Sequence, residues 1–420
     1  MFEATFRYNS NKDKQTIEGS EEYVDSLIVP GRMVIANQKA LPQRLRSFNE
    51  TAGVEYYLQP SVTDFRVGTD FREDGEIRPW HWQYVDTIGP ALEEPLAKHD
   101  HVDASELPAE TVDPIIKADI EYQETIVPKR IEDNAGRYET VNGDDYQPKA
   151  VIPWFHKIRS RSDLDTYASM LDTAIDTAQL RIKPVIFTTK GFIRRESHRG
   201  ALATLVDRDS FQDCFLWVED LDKHGTNQSD YDHVTDLVQR LTAVDTPPHF
   251  YYGDHFATLL GHLGATGTTY GAMYGEDAVE KTEQRGGGGM MPRYYVSEVK
   301  DFLQISATVD IQQRVGADMC ECDVCQRQFD DWFAVGERYD GDDDDDNIQT
   351  PLQKHHLRVR WRQIRESEDE ELDESLERID EAYSRYAAAF LDSNQVSNTK
   401  ALDYLPMWKA AIESASEQSE

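Results

Sequence analysis

The chain has 420 residues, 79 acidic against 44 basic, and a net charge of −35. Four cysteines exclude a secreted disulfide framework, and no run approaches the ~18 consecutive apolar residues of a membrane span. With 39% hydrophobic residues, seven Trp, twenty Tyr and sixteen Phe, the composition predicts a soluble globular protein with a sizeable core.

In chain order, residues 26–37 (SLIVPGRMVIAN) read as extended, 40–50 as a helix and 54–61 (VEYYLQPS) as a strand. Residues 98–148 are acidic and read as a loop-rich insertion or lid. Five short apolar, β-rich runs follow at 149–156 (KAVIPWFH), 183–189 (KPVIFTT), 213–220 (DCFLWVED), 248–254 (PHFYYGD) and 266–273 (TGTTYGAM). Helical patterns lie between them at 164–180, 200–209, 231–241 and 255–263. Strands alternating with helices predict an α/β protein with a parallel sheet. No Gly-rich dinucleotide fingerprint follows any strand, which favours a TIM-like (β/α)8 barrel over an open doubly wound sheet. Such a barrel requires one further strand from residues 62–148.

The predicted domains are a barrel over 1–290, a metal-binding subdomain over 291–370 and a helical appendage over 371–420. Arg285 and the glycines before Met290 read as a flexible turn, and 341–347 (GDDDDDN) as a solvated loop. The run EDEELDESLERIDEAYSRYAAAF has helical spacing that packs on its own domain, and the tail from Glu413 reads as frayed.

An acidic charge spread along the whole chain suits a cytoplasm with molar salt, where the Debye length is ~3 Å. The expectation is a halophilic, cytoplasmic protein. The opening MFEATFRYNSNKDKQTIEGS lacks the apolar core of a signal peptide. Against this background two basic clusters stand out, 190–199 (KGFIRRESHR) and 354–365 (KHHLRVRWRQIR). They read either as nucleic-acid contacts, through Arg194, Arg195, Arg199, Arg358, Arg360 and Arg362, or as helix faces paired with carboxylates.

Cys320, Cys322 and Cys325 fall within CECDVC. This C-x-C-x-x-C spacing brings three thiolates within reach of one ion, and His355 and His356 are available as a fourth ligand. Four protein ligands make a closed, structural Zn2+ site; an iron–sulfur cluster is the rival.

C-x-C-x-x-C followed by His355-His-Leu-Arg-Val-Arg resembles the zinc site of the tRNA-guanine transglycosylase superfamily. That resemblance makes His355 the fourth ligand. PHFYYGDHFATLLGHLGATGTTYGAM is similar to the family's seventh strand, following helix and eighth strand, and DFREDGEIRPWHW to its hairpin after the third strand. The family's Asp-Ser-Gly-Gly-Phe and Gly-Gly-Leu signatures are absent, and no Asp lies in the eighth-strand run.

The resemblance implies exchange of a guanine in a polynucleotide for a 7-deazaguanine base through an Asp-linked covalent intermediate, a pentosyltransferase reaction. Two carboxylates at the carboxyl ends of barrel strands are then required. Asp64 is the candidate acid/base, and Asp254 or Asp220 the nucleophile, with Asp277 a further choice. Trp154, Phe155 or Phe187 could stack on the base. The short carboxyl-terminal appendage favours the divergent DNA-modifying branch over archaeal enzymes acting on tRNA. A homodimer or partners from a modification system are compatible with this. Two other readings stay open: a zinc-stapled nucleic-acid-binding barrel without catalysis, and a barrel processing a free nucleobase or sugar phosphate.

Overall fold

The computed structural model describes residues 1–66, 69–134, 141–272, 292–340, 348–393 and 402–417. Strands β1 (Glu3–Arg7), β2 (Ser26–Pro30) and β3 (Glu55–Gln59) precede a short antiparallel hairpin, β4 (Arg72–Glu73) and β5 (Glu76–Ile77). Then come β6 (Val185–Thr189), β7 (Cys214–Glu219), β8 (Pro248–Phe250) and β9 (Gly267–Tyr270). Seven strands form one parallel sheet in the order β3-β2-β1-β9-β8-β7-β6. The sheet curls strongly: Tyr57 on β3 meets Phe215 on β7 edge-on at 5.3 Å, although four strands separate them in that order.

Residues 149–158 lie between the two edge strands. Lys149 N donates to Tyr56 O at 2.8 Å on the β3 side, and Ile158 N donates to Phe187 O at 2.8 Å on the β6 side. Val151 and Ile182 form a further parallel bridge. The middle of this segment is bonded to a side chain instead of a strand. Gln123 Nε2 donates to Ile152 O at 2.7 Å, and its Oε1 accepts from Ile152 N at 3.1 Å. Gln123 is itself fixed by the buried Asp119, which also accepts from Tyr84.

The expected strand from residues 62–148 is therefore replaced, as the first member of the sheet, by β1 at the amino end. Sequence reasoning passes over it because its residues Glu3, Thr5 and Arg7 are polar. They face the inside of the curl, where a buried ionic cluster accepts them: Lys183 Nζ lies 2.7 Å from Asp213, 3.3 Å from His249 Nδ1 and 3.9 Å from Glu3. Lys149 Nζ lies 3.0 Å from Glu3.

The loop-rich reading of 98–148 is likewise corrected. Helices run over Ala109–Glu121 and Val127–Asp133, joined by a π turn, Tyr122–Ile126. Val112, Ile115, Ile116, Ile120, Val127 and Ile131 bury one face. Their helical spacing is obscured by Pro108, Pro114 and Pro128 and by the acidic residues between them. The run 26–37 is not extended throughout, because β2 ends at Pro30 and Gly31–Ala36 is helical. Gly31 is required there: a Cβ would stand 3.2 Å from the Tyr122 ring and 3.3 Å from Gln59 O.

Beyond the sheet lie the antiparallel pair β10 (Arg293–Val296) and β11 (Asp301–Gln304) and helix Ile305–Arg314. The long helix Gln349–Asp369 packs against β10 and against helices Asn11–Ile17 and His255–Leu259. The last helix, Tyr404–Glu417, is seated on helix Gln228–Ala243 through Trp408 and Gln239, so the residues after Glu413 are not frayed up to Glu417. Among the described residues no helix is long and apolar enough to cross a membrane. The polyglycine turn, Asp277 and the acidic run 341–347 lie outside the described residues.

Candidate metal centre and strand mouth

Cys322 caps the short helix Asp323–Gln328, its Sγ accepting from Cys325 N at 3.4 Å, while Cys320 Sγ accepts from Cys322 N at 3.4 Å. The long helix Gln349–Asp369 brings His355 to the same point. Its Nδ1 lies 3.4 Å from Cys322 Sγ and 3.3 Å from Cys325 Sγ, and all four ligand atoms lie within 4.8 Å of one another. Ligands on a tetrahedral zinc, with bonds of ~2.3 Å to sulfur and ~2.0 Å to nitrogen, stand ~3.6 Å apart, so the donor set fits this ion.

The surroundings fit as well. His355 Nε2 donates to Tyr295 O at 2.8 Å, which leaves Nδ1 for the metal, and the Tyr294 hydroxyl lies 3.3 Å from Cys325 Sγ. Arg358, one turn after His355, pairs with Asp323 at 2.9 Å and ties the two ligand-bearing helices together. His356 turns away, its ring packed against Tyr270, Tyr295 and Phe302.

The second cluster gathers at the carboxyl ends of the parallel strands. Asp64, in the turn Ser61–Phe65 after β3, pairs with Arg32 Nε at 2.7 Å and lies 4.0 Å from His81 Nε2 of helix Pro79–Ile88. Arg7 at the end of β1 donates to Gln59 Oε1 at 2.9 Å and to Tyr251 O at 2.6 Å, and stacks over Tyr251 and Tyr252 at 4.5 and 4.0 Å. Phe187 and Trp217 stack at 3.8 Å, with Tyr251 parallel to Trp217 and Phe155 edge-on to all three. Arg66 stands over Phe187 and Trp217 at 5.3 and 5.8 Å. Lys157 Nζ pairs with Glu219 at 2.6 Å and lies 5.2 Å from the Phe187 ring. Among the described residues this mouth is a layer of buried aromatic rings edged by cations and by the carboxylates Asp64 and Glu219.

Of the sequence-predicted carboxylates among the described residues, Asp64, Asp220 and Asp254, only Asp64 belongs to it. Asp254 caps helix His255–Leu259, accepting from Phe256 N at 2.9 Å, and its charge bears on Tyr231 and Tyr404, whereas that of Asp64 bears on His81, Tyr84 and Tyr251. Asp220 is exposed with φ +59°. The residue that sequence reasoning missed is its neighbour Glu219. Alternation by two puts Phe215, Trp217 and Glu219 on the inner face, and that signal was legible. Phe155 and Phe187 are in the aromatic layer and Trp154 is not; all three are buried.

The reading of the basic clusters as nucleic-acid contacts is corrected for three arginines. Arg199 is buried, bonded to Asp236 and to Ile193 O. Arg358 is buried against Asp323. Arg360 is fully buried, with its guanidinium 3.3 Å from His255 Nδ1 and 3.4 Å from Thr258 Oγ1. Their helices are packed on several sides, so these cations anchor elements to one another. Arg194 is half exposed and pairs with Asp230; Arg195 and Arg362 are exposed.

Burial holds two histidines neutral, His81 beside Asp64 and His249 in the ionic cluster of Lys183 and Glu3. His81 is pushed down to about 4, with the Asp64 charge opposing, and His249 to about 4, with the Lys183 ammonium adding to the burial. Unfolded histidine protonates near ~6.5. Between these values the unfolded chain binds protons that the folded chain refuses, so stability must fall as pH drops from about 6.5 towards 4 and level off above about 7. Thermal melts at pH 7 and pH 4.5 should show the loss, on the order of 3 kcal/mol for the fully buried His249. A His249→Gln variant should lose less over the same interval, and equal losses would contradict this assignment.

Neither a family profile nor any curated protein matches this chain.

Proposed function

We propose that the protein is a base-exchange glycosyltransferase that replaces guanine in a polynucleotide, DNA in preference to tRNA, by a 7-deazaguanine base. The scaffold in this reading is a (β/α)8 barrel whose remaining stave is the segment 149–158, bonded to β3 at one end and to β6 at the other. Zn2+ held by Cys320, Cys322, Cys325 and His355 supplies rigidity alone, because a fourth protein ligand leaves no open position for chemistry.

The observation that carries the reading is the placement of Asp64. It lies at the carboxyl end of a parallel strand, where such folds keep their active sites, beside a neutral His81 and a layer of buried aromatic rings. Exchange needs two carboxylates. One attacks ribose C1′ as the bond to guanine N9 breaks, and the bonding electrons leave with the base. N9 of the incoming base then attacks C1′ and the bond to the carboxylate breaks, its electrons returning to the carboxylate, while the other carboxyl group gives its proton to the departing guanine and is reloaded by the N9–H proton of the incoming base. Asp64 suits the proton-handling role, and Glu219 is the second carboxylate the mouth offers.

A binding module without turnover is the second reading. The observation in its favour is that both mouth carboxylates already hold ion-pair partners, Arg32 at 2.7 Å and Lys157 at 2.6 Å. Mass spectrometry of nucleosides from DNA and tRNA of cells with and without the gene separates the two, since only turnover leaves a modified base.

A further inference from the structure

Helix Pro79–Ile88 begins with an unusual distribution of its large side chains. Of the seven tryptophans in the chain only Trp80 and Trp82 are exposed, 41% and 45%. Between them His81 is buried and points at Asp64 from 4.0 Å. Successive helical residues are 100° apart, so the two indoles stand on either side of the histidine. The turn is held firmly: Pro79 presets the first helical residue, and Arg78 O accepts from both His81 N and Trp82 N at 2.9 Å. Arg78 also stands over the Trp80 ring at 5.3 Å, fixed by its ion pair with Asp70 at 2.7 Å.

We propose that Trp80 and Trp82 are a stacking platform for the bases that flank the exchanged nucleotide in unpaired DNA. This rests on the base-exchange reading and names the form in which the polymer is bound. The occupant follows from charge and shape. The whole chain carries −35, but the side chains named around Asp64 include five cations, Arg7, Arg32, Arg66, Arg78 and Lys157, against three carboxylates, Asp64, Asp70 and Glu219. A polyanion therefore meets less repulsion at these side chains than the charge of the whole chain would give, although Glu73, Asp74 and Glu76 stand exposed on the adjoining hairpin. With so little coulombic attraction available, most of the affinity has to come from base faces, and a base offers its face only when it is unstacked from its neighbours. A duplex keeps those faces covered. Two indoles bracketing the line to Asp64 hold the neighbours apart while the central base enters the mouth.

The test is titration of the full-length protein with a guanine-centred single-stranded DNA oligonucleotide and with the same sequence as a duplex, read by tryptophan fluorescence and anisotropy. The wild type should bind the single strand more tightly and show quenching. Trp80→Ala and Trp82→Ala should each weaken single-strand binding roughly tenfold, by the same factor at low and at molar salt, and Trp80→Phe should restore most of the loss. Unchanged affinity in both alanine variants, or equal wild-type affinity for the duplex, would overturn the platform while leaving base exchange standing. A wild type that binds no oligonucleotide would overturn the base-exchange reading itself, and the platform with it.

Discussion

Stripping the metal from the Cys320, Cys322, Cys325 and His355 site, or replacing Cys322 by Ser, should destabilise the protein more than removing any single contact at its surface. Structural zinc contributes folding free energy outright, ~10 kcal/mol or more in isolated fingers. Here the site joins a short helix to a long one that the Arg358–Asp323 pair also links. Cys320 to Cys325 precede and open a helix of six residues, and His355 sits on the long helix whose Arg358 and Arg360 reach Asp323 and the His255–Thr258 turn. Without the ion, three nearby sulfurs and a buried imidazole lose their common partner. A loss on the order of 5 kcal/mol, or ~6 °C in melting temperature for a chain of this length, is expected on chelation. Metal analysis should find about one zinc per chain. A protein without zinc, or a Cys322→Ser variant with unchanged metal content and melting temperature, would remove the staple from the account.

Asp64→Asn should have the largest effect on chemistry. The amide keeps the shape of the side chain but can neither take nor deliver the proton of an exchanging base. Guanine release from a single-stranded oligonucleotide should therefore fall by ~10²- to 10⁴-fold. The fold should survive, because the Asp64–Arg32 pair is partly solvated and such pairs contribute ~1 kcal/mol or less. Glu219→Gln should abolish both release and the covalent DNA adduct if Glu219 attacks C1′. Asp254→Ala is the comparison. It removes a helix cap, costs about 1 kcal/mol of stability and should leave turnover within a few-fold of the wild type. Equal turnover in Asp64→Asn and wild type would exclude Asp64 from the reaction.

The candidate metal group was legible in the sequence because three closely spaced thiols in a polar context match ligand spacing, and the choice of His355 over His356 corresponds to the geometry. β6 to β9 were legible as apolar runs because they are buried on both faces. β1 was not, since its inner face meets Lys183, His249 and Tyr251 and is accordingly polar. The basic clusters misled for a related reason: in so acidic a chain an arginine looks conspicuous, yet Arg199, Arg358 and Arg360 are spent on internal anchoring. The mouth carboxylate Glu219 is hidden behind Asp220, one residue on, because both stand at the carboxyl end of the same run and only alternation by two tells which faces inward.

The most direct measurement is the nucleoside composition of DNA and of tRNA from cells carrying the gene and from cells lacking it. The account predicts a 7-deazaguanine nucleoside in DNA of the first and not of the second, with tRNA identical in both and the DNA signal restored by wild-type protein but not by Asp64→Asn. Identical DNA and identical tRNA in the two strains, with the protein expressed, would contradict it.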